Sequence, residues 1–128
     1  MDPETRELKT LRVTVPARAG APPLHPRTIT LTNSVEKVVW SCQGLPSGAT
    51  LQIVFRADPR GPFFLLESKG SEVIGWGNRG PEETARRYTY VASIQTGTVA
   101  KPVGAGSLKN NATKPVPMSV DPNPGPRV

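Results

Sequence analysis

Proline and glycine interrupt this chain so often that strands fit between them better than helices do. The 128 residues include 15 prolines and 12 glycines. Proline inside a helix removes a hydrogen bond and clashes with the preceding turn. The two residue types cluster at 16–26, 44–48, 58–62, 75–81, 97–106 and 115–126. This spacing predicts a protein with many turns and short strands.

The clearest strand pattern lies on either side of the turn Gly44-Leu-Pro-Ser-Gly48. Successive side chains of a strand point to opposite faces, so every second residue lines the same face. In both runs these residues are apolar: Val38, Trp40, Cys42, Leu51, Ile53 and Phe55. The pattern predicts a β-hairpin over 38–55 with one buried face.

Further alternating or apolar runs predict strands at 10–15, 28–32, 63–66, 73–76, 88–94 and 116–120. Residues 97–115 show little periodicity, and we expect them to form a long loop. About seven short strands without a substantial helix favour an all-β fold, an antiparallel two-sheet β-sandwich. The expected organisation is an N-terminal arm at 1–9, a sandwich domain at 10–121 and a proline-rich tail at 122–128.

The order of aromatic residues resembles that of immunoglobulin-like and cupredoxin-like β-sandwiches. Trp40 lies on a central strand, and Tyr88 and Tyr90 lie on a late strand that follows a polar turn. In those sandwiches a Trp commonly packs between the sheets and a Tyr opens the penultimate strand. The pattern is also similar to small uncharacterised bacterial sandwich proteins. These bacterial proteins imply no defined chemistry. The resemblance covers residues 10–121, and the chain lacks the cysteine pair of antibody domains.

A cupredoxin-like fold implies a copper site of two His, one Cys and usually a Met. The chain has one histidine, His25, which lies far in sequence from Cys42, while Met118 has neither His nor Cys near it. The copper ligands therefore match no position, zinc fails by the same count, and we expect no metal or cofactor. Cys42 is interpreted as a small buried apolar residue, because no basic residue adjoins it to lower the pKa of its thiol.

The segment Gly75-Trp-Gly-Asn-Arg-Gly80 matches the glycine fingerprint of dinucleotide-binding folds. That chemistry requires a helix after the glycines, within a strand–helix–strand unit. The strand predicted from Tyr88 follows too soon, since a parallel crossover takes about a dozen residues or more. Residues 95–104 also offer no acidic side chain for a ribose. We interpret the segment as a tight loop that carries Trp76.

The basic residues exceed the acidic ones by six, but they are scattered along the chain. No polybasic run of the kind typical of nucleic-acid or membrane binding is present. Several arginines fall at predicted strand ends or loops, where they could meet at one end of a sandwich beside a Trp. Arg and Trp are enriched in binding hot spots. The predicted binding patch consists of Arg56, Arg60, Trp76, Arg79, Arg86 and Arg87.

These observations favour a non-enzymatic binding or structural module that acts through protein–protein interaction, as an accessory component of a bacterial assembly or response system. No nucleophile–base pair can be assembled from a single histidine held between prolines. The alternative is a binder of an anionic ligand, either nucleic acid or a phosphorylated small molecule, that uses the loop arginines. The salt dependence of binding distinguishes these two functions, because binding driven by phosphates weakens steeply as the salt concentration rises.

Two further expectations concern assembly and location. The sequence shows no feature that would cover the outer strands, so the expected partners include a second copy of the chain, in a homo-oligomer formed through an edge strand. The charged N-terminus has no apolar signal region, and no run approaches a membrane span in length. We therefore expect a cytoplasmic protein without membrane contact.

Overall fold

The structure, a computed structural model, describes residues 8–17, 24–56, 61–81 and 87–117. These residues contain eight strands and no helix. The strands are β1 (Lys9–Thr14), β2 (Thr28–Leu31), β3 (Val35–Ser41), β4 (Ala49–Phe55), β5 (Leu65–Lys69), β6 (Glu72–Trp76), β7 (Arg87–Thr96) and β8 (Val99–Asn110). Lys9 of the predicted N-terminal arm belongs to β1, whereas residues 1–7 and the predicted tail lie outside the described ranges.

The strands form two four-stranded sheets, which confirms the prediction of an all-β fold with two sheets. Sheet A has the order β1-β3-β6-β5, and sheet B has the order β2-β8-β7-β4. The pairs β1–β3 and β2–β8 are parallel, while the other pairs are antiparallel. The sheets are therefore mixed rather than wholly antiparallel, with eight strands instead of about seven.

The stretch from 38 to 55 is not a hairpin. β3 lies in sheet A and β4 lies in sheet B, so the turn at 44–48 carries the chain from one sheet to the other. A hairpin and a connection between facing sheets give the same alternating pattern, because one face of each strand is buried in both. The two strands were predicted correctly, and the prediction that they pair with each other was wrong.

The hairpin with the longest strands is β7–β8, and it overturns the loop predicted at 97–115. Its strands pair from Arg87–Lys109 to Thr96–Val99, so only Gly97 and Thr98 form the turn. A two-residue turn that starts with glycine at positive φ is typical of tight hairpins. β8 showed no strand pattern because its inward positions include glycines. A Cβ at Gly104 would collide with Leu24, and a Cβ at Gly106 would collide with the Tyr90 hydroxyl.

The predicted last strand, 116–120, is reduced to a single bridge in the part of the chain that the structure describes. Val116 pairs with Asn78 through backbone hydrogen bonds of 2.7 and 2.8 Å. Met118 and Val120 lie outside the described residues. Val116 thus contacts the segment that follows β6.

Trp40 lies at the centre of the core between the sheets and is fully buried. Its ring packs edge-on against Phe55 and Tyr90 of sheet B, at centroid distances of 6.3 and 5.4 Å. Phe63, in the connection before β5, meets it at 5.9 Å. Such edge-to-face contacts stabilise a core beyond the area that the rings bury. The inward face predicted for Val38, Trp40 and Cys42 is confirmed.

The outer strands of the two sheets are joined to each other in places. On one side, Thr14 and His25 exchange backbone hydrogen bonds of 2.8 and 3.0 Å, which link the end of β1 to the approach to β2. On the other side, the Leu51 N–H of β4 donates to the Gly70 carbonyl at 2.8 Å. These bonds satisfy backbone groups that a free edge would offer to another chain. Oligomerisation through an edge strand stays a prediction.

A buried pair of asparagines ties the sheets together at the end where β6 and β8 finish. Asn78 Nδ2 donates to Asn110 Oδ1 at 2.8 Å, and Asn110 Nδ2 donates back to Asn78 Oδ1 at 3.2 Å. The same oxygens accept the backbone N–H groups of Gly80 and Ala112. Because both side chains are almost fully buried, this network contributes more to stability than an exposed one would.

Asn78→Ala should lower the free energy of unfolding by roughly 2–4 kcal/mol, because it leaves the Asn110 amide and the Gly80 N–H buried without this partner. Asn33→Ala is the matched control, since Asn33 makes a similar two-bond link to Thr113 at an exposed position. Its cost should stay below about 1 kcal/mol. Urea denaturation measures both, and equal costs would contradict a special role for the buried pair.

Candidate functional site

The structure places three arginines of the predicted patch, Arg56, Arg79 and Arg87, at the end of the fold where β4 and β6 finish and β7 begins. Arg56 follows β4, and its backbone N–H donates to the Thr89 carbonyl at 3.0 Å. Arg87 is the first residue of β7. Arg60 and Arg86 lie outside the described residues.

Arg79 lies at the same end but is only partly exposed. Its backbone N–H donates to the Pro62 carbonyl at 2.7 Å, and its guanidinium Nη2 donates to the Gly61 carbonyl. The side chain therefore holds the connection between β4 and β5 against the segment after β6. Its contacts indicate a structural role at this end of the molecule.

Arg56 and Arg87 share the outer face of sheet B with a third cation that the sequence reasoning missed. Inward residues Phe55 and Tyr88 are buried, so their neighbours Arg56 and Arg87 point outward. Lys109 of β8 stands directly opposite Arg87 and is also exposed. Arg56, Arg87 and Lys109 are named the cation cluster. The sequence did not indicate Lys109, because the strand that carries it was predicted to be a loop.

Hydroxyl groups adjoin the cation cluster on the same outer face. Thr89 lies beside Arg56, and Ser107 pairs with Thr89 across β7 and β8. Thr28 of β2 continues this row, with its Oγ1 at 3.0 Å from Ser107 Oγ. Hydroxyls both donate and accept hydrogen bonds. The face therefore offers neutral polar groups next to three positive charges.

Trp76 lies on the other side of the molecule, on the outer face of sheet A. It is the last residue of β6 rather than part of a loop, and neighbouring Gly75 packs against Phe63 in the interior. The indole Nε1 donates to Glu67 Oε1 at 3.0 Å, and Lys37 Nζ lies 4.8 Å from the ring centroid. These contacts hold the partly exposed ring in one orientation.

Leu65 extends the apolar part of this outer face. It stands opposite Trp76 in the register of β5 and β6 and is 41% exposed. The four residues Lys37, Leu65, Glu67 and Trp76 are named the Trp76 surface. The structure thus brings Arg56 and Arg87 together on sheet B and places Trp76 apart from them on sheet A.

Cys42 is buried at the end of β3, as its apolar neighbours indicated. Its Sγ lies 3.6 Å from the Pro16 carbonyl. Burial raises the pKa of the thiol, which disfavours the reactive thiolate. Among the described residues, no group of three or more His, Cys, Asp and Glu is placed to hold a metal ion.

A cavity of about 500 Å³ lies at the opposite end from the cation cluster. Its lining is largely apolar and includes Pro46, Ile94, Val99 and Pro102. Among the described residues that line it, only Lys101 is ionisable. A ligand site usually adds a few converging polar groups that fix orientation. This cavity is therefore a weaker candidate than the two outer faces.

Comparison with known proteins adds no identification. No protein-family model matches the chain, and no curated protein is recognisably similar to it. Within the described ranges, no helix is long and apolar enough to cross a membrane. The candidate sites rest on the geometry of the chain itself.

The Cys42 thiol should react with Ellman's reagent on the order of 100-fold more slowly in the native protein than in denaturant at pH 8, because it is buried and mostly protonated. Cys42 is the only cysteine, so the whole absorbance change reports on this residue. Cys42→Ser provides the blank. Native reactivity within about threefold of the denatured chain would contradict the buried position.

Proposed function

We propose that the protein is a non-enzymatic binding module that acts through protein–protein interaction, with the Trp76 surface as its docking site. The observation that carries this proposal is a partly exposed Trp on an outer sheet face, next to an exposed Leu. Trp is among the residues that dominate binding energies at interfaces. Leu65 adds apolar area, while Lys37 and Glu67 supply charges at its border.

The orientation of Trp76 supports this role. Its indole N–H is held by Glu67 at 3.0 Å, and Lys37 lies against the ring. A side chain that is already ordered loses less conformational entropy when a partner binds. Placement on a paired strand fixes the backbone as well. The surface is thus preorganised for a partner that covers the ring.

The fold in this proposal is an immunoglobulin-like or cupredoxin-like sandwich. Strands β3-β6-β5 and β8-β7-β4 follow the neighbour order of the second to seventh strands of an immunoglobulin sandwich. The Trp on β3 packs between the sheets. It lies on the second strand in this order, however, whereas the Trp of immunoglobulin domains lies on the third. The parallel pairing of β1 with β3 departs from wholly antiparallel immunoglobulin sheets. The proposal therefore includes both the immunoglobulin-like and the cupredoxin-like sandwich.

A second candidate function is the binding of an anionic ligand through the arginines at the end of β4 and the start of β7. The observation that favours it is the proximity of Arg56 and Arg87 on one outer face of sheet B. This candidate uses a different surface from the first one. Variants of Trp76 and of the arginines therefore separate the two functions.

Trp76→Ala should weaken binding to a protein partner by about 30-fold, because the ring is the largest side chain available for burial on this surface. Partners that co-purify with the tagged chain provide the ligand, and calorimetry measures the affinity. Val54→Ala is the control, since Val54 is 51% exposed on the outer face of sheet B. It should change the affinity less than about threefold.

Thermal unfolding of both variants must match the wild type within a few degrees for the comparison to count. Unchanged affinity of the folded Trp76→Ala variant for every identified partner would contradict the proposed docking site. An affinity that collapses between low and high salt would favour the second candidate instead, because a mainly apolar interface depends little on salt.

A further inference from the structure

The cation cluster concentrates three positive charges on neighbouring strands. Arg87 and Lys109 are directly opposite across β7 and β8, a position in which Cβ atoms are about 5 Å apart. Arg56 lies beside Thr89, two residues along β7 from Arg87, which corresponds to a diagonal distance of about 7–8 Å. All three side chains are exposed. Their long, flexible stems can converge on one small ligand.

No acidic side chain of the described residues balances these charges. The three described acidic residues, Glu36, Glu67 and Glu72, all lie in sheet A. Like charges placed directly opposite in a sheet destabilise it. Among the described residues the Arg87–Lys109 pair is therefore uncompensated, and local conflicts of this kind are expected where a protein binds a ligand.

The surroundings of the cluster indicate the chemistry of the ligand. The hydroxyls of Thr89 and Ser107 lie in the next row of the same face and can donate to oxyanion oxygens. The aromatic residues in the strands of sheet B are Phe55, Tyr88 and Tyr90, and all three are buried on the inner face. The described part of this outer face thus has no ring on which a nucleic-acid base could stack.

We propose that the cation cluster binds a dianionic phosphate, either free phosphate or the phosphate group of a monoester. A compact group with two negative charges matches three cations gathered in one place. A phosphodiester chain carries a single charge per phosphate spread along its length, and it matches an extended basic groove better. This inference rests on the second candidate function and is independent of the Trp76 surface.

The test titrates the full-length protein with inorganic phosphate and with phosphoserine, at constant ionic strength set by sodium chloride. Backbone amide shifts in two-dimensional NMR give the affinity and the location. Shifts should concentrate at Arg56, Arg87, Thr89 and Lys109. Binding of phosphoserine should strengthen as the pH rises through the second phosphate pKa of about 6, because the dianion is the bound form.

The variant pair Arg87→Gln with Lys109→Gln should weaken phosphate binding at least about tenfold, because it removes two charge-assisted hydrogen bonds. Lys101→Gln is the matched control, since Lys101 is exposed on the same strand β8 near its other end. Lys109→Gln alone should raise the thermal midpoint without phosphate by about 1–4 °C, because it relieves the like-charge pair. A structural role for Lys109 predicts the opposite sign.

Three results would overturn the proposal. The first is equal phosphate affinity of the double variant and the wild type, which indicates an adventitious ion only. The second is shifts that spread evenly over the surface at the same concentrations. The third is binding of a thymidine oligonucleotide without terminal phosphates that the double variant loses and phosphoserine does not displace. In that last case the second candidate function survives with a different ligand class.

Discussion

The packing of Trp40 between the two sheets is the interaction on which the rest of this structure depends. The ring comes from β3 in sheet A and contacts Phe55 and Tyr90 of sheet B, so it fixes how the two sheets face each other. The Trp40 Nε1 and the Tyr90 hydroxyl are buried without a hydrogen bond of normal geometry. Burial raises the pKa of Tyr90, an effect that the neighbouring Trp40 side chain partly opposes. The two unpaired polar groups destabilise the core, and the close packing of the rings offsets this cost.

The core determines which residues lie on the outer faces, because a shift of a strand by one residue exchanges its inward and outward side chains. Phe55 and Tyr88 must point inward to pack against each other at 6.2 Å, and Arg56 and Arg87 then have to point outward. Leu108 pairs with Tyr88 and points inward with it, so the neighbouring Lys109 points outward. The cation cluster is thus a consequence of the register that the aromatic core imposes. A slip of one residue would bury the charges, at a cost of several kcal/mol each.

The sequence predicts the strands better than their partners. Alternation identified the strands around Trp40 and Tyr90, because it records only that one face is buried. It could not tell that β3 and β4 lie in different sheets, since both arrangements bury the same side chains. β8 was missed because Leu24 and Tyr90 occupy the space opposite its glycines. Lys109 was missed with it, since a lone lysine has no signal until its strand and partner are known.

The two candidate surfaces are electrostatically separate, which is why one chain can carry both. Facing sheets pack about 10 Å apart, and outward side chains add to that distance. Exposed charges farther apart than the Debye length, about 8 Å at physiological ionic strength, are largely screened from each other. Glu67 on sheet A, bonded to Trp76, is therefore too distant to neutralise Lys109 on sheet B. Each face responds to its own ligand chemistry, because the core holds the faces so far apart that dissolved salt screens their exposed charges from each other.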